Sequence, residues 1–139
     1  MKPFTNSTFI AEDIQLLTAF SIEALILFGS QAQNTASKLS DYDIGVLIQP
    51  GKKYSHKHVY DAMYDLLSEK INQLVDIDIV FLRDAPLELQ HHVAKYGIPL
   101  YEQTVYSFAR FRESVMLTYA DFAPLRKIFQ AATFARIPS

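Results

Sequence analysis

A glycine-serine pair, followed after ten residues by two alternate aspartates, is the part of this sequence best suited to chemistry. The pair is Gly29-Ser30, and the aspartates are Asp41 and Asp43. Alternate residues of a strand point to the same face, so both carboxylates face one cleft, with Cα atoms roughly 7 Å apart. Like charges this close repel, and a divalent cation removes the repulsion. The spacing therefore predicts a Mg²⁺ site, since Mg²⁺ prefers carboxylate and phosphate oxygens.

The glycine-serine pair predicts a phosphate site beside these carboxylates. Gly29 lets the backbone turn and approach a ligand closely, because it has no Cβ. A helix that begins near Ser30 would point free N–H groups at phosphate oxygens, and the Ser30 hydroxyl adds a hydrogen bond. Two Mg²⁺ ions about 3.5–4 Å apart clamp the attacking and leaving oxygens of an in-line phosphoryl displacement. We therefore expect transfer of a nucleoside monophosphate from a magnesium nucleotide to a hydroxyl.

A third carboxylate is expected on a neighbouring strand, where it could take the proton of the attacking hydroxyl. The apolar run at residues 74–82 predicts that strand, and it contains Asp76 and Asp78. By alternation both point to the same face, so either could complete a triad.

The elements that position these residues alternate between helical and strand patterns. Periodicity predicts helices at residues 10–20, 58–71 and 104–122, with another from Pro86 towards Gly97. Strands are expected at residues 24–28, 41–48 and 74–82. Gly97-Ile98-Pro99 is typical of a turn, and Pro124 should break or restart the last helix. The pattern predicts an α/β fold with at least three strands.

Bulk composition limits the class of protein. The 139 residues suit a single domain, and the net charge of −2 does not favour direct binding to nucleic acid. Cysteine is absent, which excludes disulfides and thiolate metal sites. Without a secretory signal or a membrane-length apolar run, the chain is expected to be cytoplasmic, with no membrane partner.

The four histidines are poor candidates for metal ligands. His56 and His58, and likewise His91 and His92, are spaced so that two imidazoles do not align on one helix face. We expect surface or capping roles for them.

Gly29-Ser30 followed by Ser40-Asp41-Tyr42-Asp43 resembles the signature of the DNA polymerase β-like nucleotidyltransferase superfamily. The ten-residue spacing is similar to that of the minimal nucleotidyltransferase (MNT) antitoxins, and the likeness covers residues 25–102. It implies the polymerase β-like fold, a small mixed sheet flanked by helices with a C-terminal helical segment. Its register selects Asp78 over Asp76, so that Asp41, Asp43 and Asp78 are the expected catalytic and metal-binding residues.

The resemblance also implies a function. Small members of the family are typically paired with a HEPN-family ribonuclease toxin, and they transfer AMP from Mg-ATP to a tyrosine of that toxin. This chain is thus expected to be the antitoxin of a type VII-like HEPN/MNT toxin-antitoxin system, in a hetero-oligomer with the toxin. The alternatives are a small-molecule nucleotidyltransferase of the aminoglycoside-modifying type and an antitoxin that acts only by binding. Members often have Arg and Gly where this chain has Gln33 and Asn34, so we expect either slower turnover or a neighbouring basic residue that replaces the arginine.

The last part of the chain differs in charge from the rest. Residues 104–139 contain five Lys or Arg and two acidic residues, whereas the first 103 contain eight basic and thirteen acidic residues. Seven aromatic residues also lie in this tail, and aromatic residues and Arg are enriched in interfaces. We interpret residues 1–139 as one nucleotidyltransferase domain, of which residues 104–139 form a helical extension that binds a partner or covers the domain's own core.

Overall fold

The computed structural model describes residues 8–29, 31–32, 41–71 and 76–136. Helices and strands follow one another as the α/β pattern predicts. In chain order they are α1 (Ala11–Ala19), β1 (Ile22–Phe28), β2 (Tyr42–Ile48), α2 (His56–Ile71), β3 (Ile77–Phe81), α3 (Leu87–Tyr96), β4 (Ile98–Glu102) and α4 (Ser107–Arg136). A short 3₁₀ turn, Leu82–Asp84, follows β3.

The four strands form one mixed sheet in the order β3-β2-β1-β4. β1 pairs antiparallel with both β2 and β4, whereas β2 and β3 are parallel. The parallel pair needs a crossover, which α2 supplies, as is usual for parallel neighbours. The expected small mixed sheet flanked by helices is confirmed.

Helices cover both faces of the sheet, and β1 and β2 are therefore buried along almost their whole length. On one face, Leu25, Leu27 and Ile44 pack with Leu17 of α1 and Met63 of α2. On the other face, the packed residues come from β1, the end of β2, the 3₁₀ turn, α3 and α4: Ala24, Ile26, Phe28, Leu47, Leu82, Val93, Ala94, Phe108, Phe111 and Val115. The sheet therefore has two cores of different composition.

An ion pair and a cap join the first two helices. Lys70 Nζ, at the end of α2, lies 2.6 Å from Asp13 Oδ2, and both side chains are only about one-eighth exposed, at 13% and 12%. The same Asp13 oxygen accepts the N–H of Ile10 at 2.9 Å, which satisfies a donor at the start of α1. One carboxylate thus fixes the start of α1 to the end of α2.

The turn expected at Gly97-Ile98-Pro99 is instead the start of β4. Ile98 pairs with Leu27, and Pro99 pairs with Ile26. β4 is an edge strand of the sheet, and an edge strand tolerates a residue without an N–H donor. The prediction of a turn was wrong because proline fits a strand at the edge of a sheet, and a local sequence pattern does not reveal which strand lies there.

The break expected at Pro124 is also absent, since α4 continues through it to Arg136. Proline removes one helical N–H donor and crowds the preceding turn, but the carbonyl left without a partner can bind water on an exposed segment. Leu125 and Ile128 beside it are 45% and 64% exposed, so water reaches this part of the helix. Within the described residues, no helix combines the length and apolarity that crossing a membrane requires.

Candidate active site

The pairing of three strands brings the predicted aspartates to one end of the sheet. Phe28, the last residue of β1, pairs with Asp43 of β2, and Asp43 pairs in turn with Asp78 of β3. Neighbouring strands lie about 4.8 Å apart, so two carboxylates in direct register on one face are close neighbours. Asp43 and Asp78 therefore form the centre of the candidate site.

The glycine of the motif lies directly against this centre. Gly29 follows β1 with a φ of +75°, in the left-handed region that favours glycine. A Cβ atom added to Gly29 would overlap the Oδ2 atom of Asp43. Only glycine leaves room here for both the turn and the carboxylate. Ser30, Gln33 and Asn34 lie outside the described residues.

Both central carboxylates point to the face of the sheet covered by α3 and α4. Asp43 alternates along β2 with Leu47, which belongs to the core on that face. Asp78 alternates along β3 with Val80, which packs against the same core. The candidate site thus lies at the end of the sheet, on the face that α3 and α4 cover.

Burial and neighbouring charges both act on the carboxyl group of Asp43. Burial raises the pKa of its carboxyl above the ordinary value, and the charges of Asp78 and Asp41 raise the pKa further. The charge of His92 acts in the opposite direction and lowers that pKa. A half-buried carboxylate with two acidic neighbours is less stable when ionised than it is in water. A cation that approaches this group therefore gains more than it would at an isolated surface aspartate.

Asp41 and Asp76 lie at the margin of the site. Asp41 is exposed and directly precedes β2, and its charge reaches Asp43. Asp76 is exposed and directly precedes β3, and its backbone carbonyl accepts the N–H of Tyr42 at 3.0 Å. The structure thus gives Asp76 a backbone role in joining β2 to β3, while Asp78 lies in register with Asp43.

The carboxylates fit Mg²⁺ in chemical type and in charge. Among the described residues, no three His, Asp or Glu side chains form a ready-made metal site. Mg²⁺ does not require such a cage, because it is commonly held by one or two carboxylates together with substrate phosphates and water. The pair Asp43 and Asp78, with Asp41 at its edge, is the donor set that such a shared site needs.

His92 is the group near the site that the sequence pattern did not identify. It lies half-buried on α3, and its charge is felt at Asp43. The expected surface role suits His56, which is exposed and lies 3.0 Å from Asp84. No local motif indicates His92, because its closeness to Asp43 depends on how α3 packs on the sheet.

Two clefts lie at the other end of the sheet and do not include the aspartates. They measure about 180 Å³ and 160 Å³, and Lys52 and Tyr54 line both. The second also includes Ile48 and Phe81, which are the last residues of β2 and β3. These clefts are therefore separate from the carboxylate centre.

Two solved structures resemble this fold along nearly its whole length. One is a chain of a crystal structure of a toxin-antitoxin with AMP-PNP, with a TM-score of 0.68, 24% identity and coverage of 90% of this chain and 99% of that chain. The other belongs to the tri-AMPylated Shewanella oneidensis HEPN toxin in complex with MNT antitoxin, with a TM-score of 0.62, 22% identity and coverage of 88% and 93%. At this level of identity the likeness shows the fold.

Sequence comparison identifies the family. The model described as polymerase beta, nucleotidyltransferase, matches residues 13–105, which include all three aspartates. A relative named protein adenylyltransferase MntA, from Aphanizomenon flos-aquae (strain 2012/KM1/D3), is 32% identical over 121 residues. The match covers 82% of this chain and 80% of the relative. The family match and this relative together show that the chain belongs to the polymerase β nucleotidyltransferase family.

Proposed function

We propose that this chain is the antitoxin of a HEPN/MNT toxin-antitoxin pair and that it transfers AMP from Mg-ATP to a tyrosine of its partner, a HEPN ribonuclease toxin. The observation that carries the proposal is the register of Asp43 with Asp78 beside the Gly29 turn. The relative named as a protein adenylyltransferase and the resemblance to a complex with a tri-AMPylated toxin support the choice of acceptor. Addition of AMP to the toxin neutralises it.

The proposed reaction is an in-line displacement at the α-phosphorus of ATP. The tyrosine oxygen forms a bond to this phosphorus while the bond to the bridging oxygen of the β-phosphate breaks, and pyrophosphate leaves. Asp78 accepts the phenolic proton, which then passes to solvent. The products are adenylyl-tyrosine, pyrophosphate and one proton, so the step requires no further reactant.

The residues of the motif divide the work of binding. We assign the triphosphate to Gly29 and Ser30, whose backbone N–H groups and hydroxyl donate to phosphate oxygens. Asp41, Asp43 and Asp78 would hold two Mg²⁺ ions together with the phosphates. When bound, Mg²⁺ supplies positive charge that offsets the repulsion among these carboxylates and the negative charge of the transferred group.

The proposal is tested by incubating the chain with its partner toxin, Mg²⁺ and ATP labelled at the α-phosphate. We expect label on a toxin tyrosine, located by mass spectrometry of the digested toxin. ATP labelled at the γ-phosphate is the control and should leave the toxin unlabelled, because pyrophosphate departs. Label from γ-labelled ATP on the toxin would indicate phosphorylation and would contradict the proposal.

A pair of matched variants tests the choice of base. Asp78→Asn should abolish labelling, because it removes both a metal ligand and the proton acceptor. Asp76→Asn changes an exposed carboxylate that directly precedes the strand of Asp78 and leaves its backbone carbonyl in place, so labelling should continue. Loss of labelling in Asp76→Asn alone would move the role to that residue.

The two alternative functions give different results in the same assay. Label on an aminoglycoside, with none on the toxin, would indicate a small-molecule nucleotidyltransferase. Absence of label, with a complex that persists in an Asp41→Ala, Asp43→Ala double variant, would indicate neutralisation by binding alone. Either result would replace protein adenylylation as the function.

We further propose that the chain is one domain whose last helix has two surfaces, one for its own core and one for the toxin. Phe108, Phe111 and Val115 are buried against the sheet. Leu117, Leu125 and Ile128 are 62%, 45% and 64% exposed, and their spacing keeps them on one side of α4. An exposed apolar stripe in a tail of net positive charge suits a partner with an apolar groove and an acidic rim.

Exposed-residue variants test this surface without damaging the core. Leu117→Ser with Ile128→Ser should weaken toxin binding by roughly tenfold or more, which calorimetry can measure. Ile10→Ser is the control, since Ile10 is 56% exposed beside α1, which packs on the opposite face of the sheet. Toxin binding as tight as that of the control would exclude this stripe as the interface. Deletion from Thr104 onwards is unsuitable, because it removes the buried Phe108 and Phe111.

A further inference from the structure

The second half of α3 lies against the end of the sheet that carries the aspartates. The helix ends at Gly97, whose N–H donates to the Val93 carbonyl at 2.7 Å. A Cβ at Gly97 would lie 2.6 Å from Cγ2 of Ile26, so the helix end packs closely on β1. Ile98 then pairs with Leu27, one residue before the strand position opposite Asp43. The last turns of α3 are thereby held next to the candidate site.

The histidine in this part of the helix is placed between core and solvent. Val93 and Ala94, which follow it, are fully buried, whereas His92 is only partly buried. The imidazole ring lies 5.2 Å from the ring of Tyr96, one turn further along the helix. α3 ends beside the aspartates, and the charge of His92 acts to lower the pKa of Asp43. His92 thus lies near the end of the sheet where the nucleotide phosphates would lie.

Among the described residues, His92 differs from two other histidines in its contacts. His56 pairs with Asp84, and the ring of His91 stacks on Tyr119 at a centroid distance of 3.6 Å. Within the described part of the chain, neither ring nitrogen of His92 has a hydrogen-bond partner. An imidazole carries at least one N–H donor, and a half-buried donor beside the candidate site is available to a ligand.

The ligand chemistry follows from the groups that surround the candidate site. The carboxylates there are acceptors when ionised and cannot donate to phosphate oxygens. A triphosphate carries several oxygens that the metal does not cover, and each of them requires a donor. His92 supplies such a donor from α3, which covers the face to which Asp43 and Asp78 point.

We propose that His92 is a substrate-binding residue of the nucleotidyl transfer and that its imidazole N–H donates to a phosphate oxygen of the bound nucleoside triphosphate. The inference rests on the proposed nucleotide chemistry and not on the identity of the acceptor. It adds α3 to the nucleotide site, which would otherwise consist of strand ends and the Gly29 turn.

His92→Phe tests the inference, because phenylalanine keeps a ring against Tyr96 and removes both nitrogens. We would measure binding of a fluorescent ATP analogue in Mg²⁺, without any acceptor, and then KM and kcat with the toxin. The dissociation constant should rise roughly tenfold or more, the effect of losing a hydrogen bond to a charged group. His92→Gln, which retains an N–H donor, should recover most of the affinity.

His91→Phe is the matched control, because His91 is the adjacent residue and its ring stacks on Tyr119. It should leave nucleotide affinity within about twofold of that of the unaltered chain. Equal affinity of the His92→Phe and His91→Phe variants would overturn the inference. If the unaltered chain binds Mg-ATP but labels no tyrosine, the proposed function fails while the role of His92 stands on the binding data. If it does not bind Mg-ATP, both are overturned.

Discussion

Replacing Gly29 by alanine would place a methyl group where the carboxylate of Asp43 lies. Gly29 has a φ of +75°, and a Cβ built there overlaps Oδ2 of Asp43. The substitution therefore has two separable effects. One is the strain of a side chain in the left-handed region, and the other is displacement of the carboxylate.

The two effects have different expected sizes. Left-handed backbone costs a non-glycine residue about 1–2 kcal/mol. Overpacking against a neighbouring group costs a further 1–3 kcal/mol or so, depending on how far that group can move. We expect Gly29→Ala to lower the free energy of unfolding by about 2–5 kcal/mol in urea denaturation followed by circular dichroism. Transfer of AMP should fall by at least roughly tenfold, because the Asp43 carboxylate is displaced.

Gly51→Ala provides the control for backbone strain. Gly51 has a φ of +79°, almost the same as that of Gly29, but a Cβ built on it meets no atom within 4 Å. The variant should lose only about 1–2 kcal/mol. The difference in free energy of unfolding between the two alanine variants then measures the steric repulsion between the added Cβ at position 29 and the Asp43 carboxylate.

A double-mutant cycle with Asp43→Ala isolates that steric repulsion. Without the Asp43 carboxylate, Gly29→Ala should cost no more than Gly51→Ala does, so the coupling free energy should be about 1–3 kcal/mol. If Gly29→Ala and Gly51→Ala are equally destabilising when Asp43 is intact, the carboxylate does not occupy the space beside Gly29. That result would refute the geometry of the candidate site.

Three further changes have expected results. Burial, and then neighbouring carboxylates, raise the pKa of Asp43 above its ordinary 3.8, so its ionisation destabilises the fold as pH rises from 3.8 through the raised pKa. Asp43→Asn should therefore raise the melting temperature in metal-free buffer at pH 7 and abolish transfer; a lower melting temperature would contradict this. Burial alone would raise the pKa of Asp13, but Lys70 and the Ile10 N–H lower that pKa overall. The ionised Asp13 therefore stabilises the fold fully above its ordinary pKa, and this stabilisation is lost as pH falls through the lowered pKa. Asp13→Asn should cost roughly 2 kcal/mol at pH 7 and less at pH 3, and a loss independent of pH would count against the ion pair. Pro124→Ala restores a helical N–H and should slow amide exchange around position 124 by roughly tenfold or more; unchanged exchange would show that the proline does not weaken α4.

Local patterns in the sequence predict the centre of this fold well. The apolar runs of β1 and β2 are buried almost throughout, and a strand of this kind is recognisable without its neighbours. Alternation placed Asp43 on one face and Ile44 on the other, as the structure does. These features depend on residues two positions apart and need no long-range information.

The features that sequence patterns missed depend on neighbours distant in the chain. β4 is a strand with a proline because it occupies an edge, which only the strand order reveals. The choice between Asp76 and Asp78 depends on the register of β3 against β2, and alternation left both open because they share a face. The closeness of His92 to Asp43 likewise depends on the packing of α3. Ser30 stays a prediction, since it lies outside the described residues.

The mixed sheet itself explains why the site can form from these strands. β1 is antiparallel to β2, so the end of β1 at Phe28 and Gly29 lies beside the start of β2. β3 is parallel to β2, so the start of β3 lies at the same end of the sheet and Asp78 is in register with Asp43. If β3 ran antiparallel to β2, the start of β3 would lie at the opposite end of the sheet, beside the last residues of β2. The crossover through α2 is therefore a requirement of the candidate site, because it brings the third carboxylate to the phosphate-binding turn.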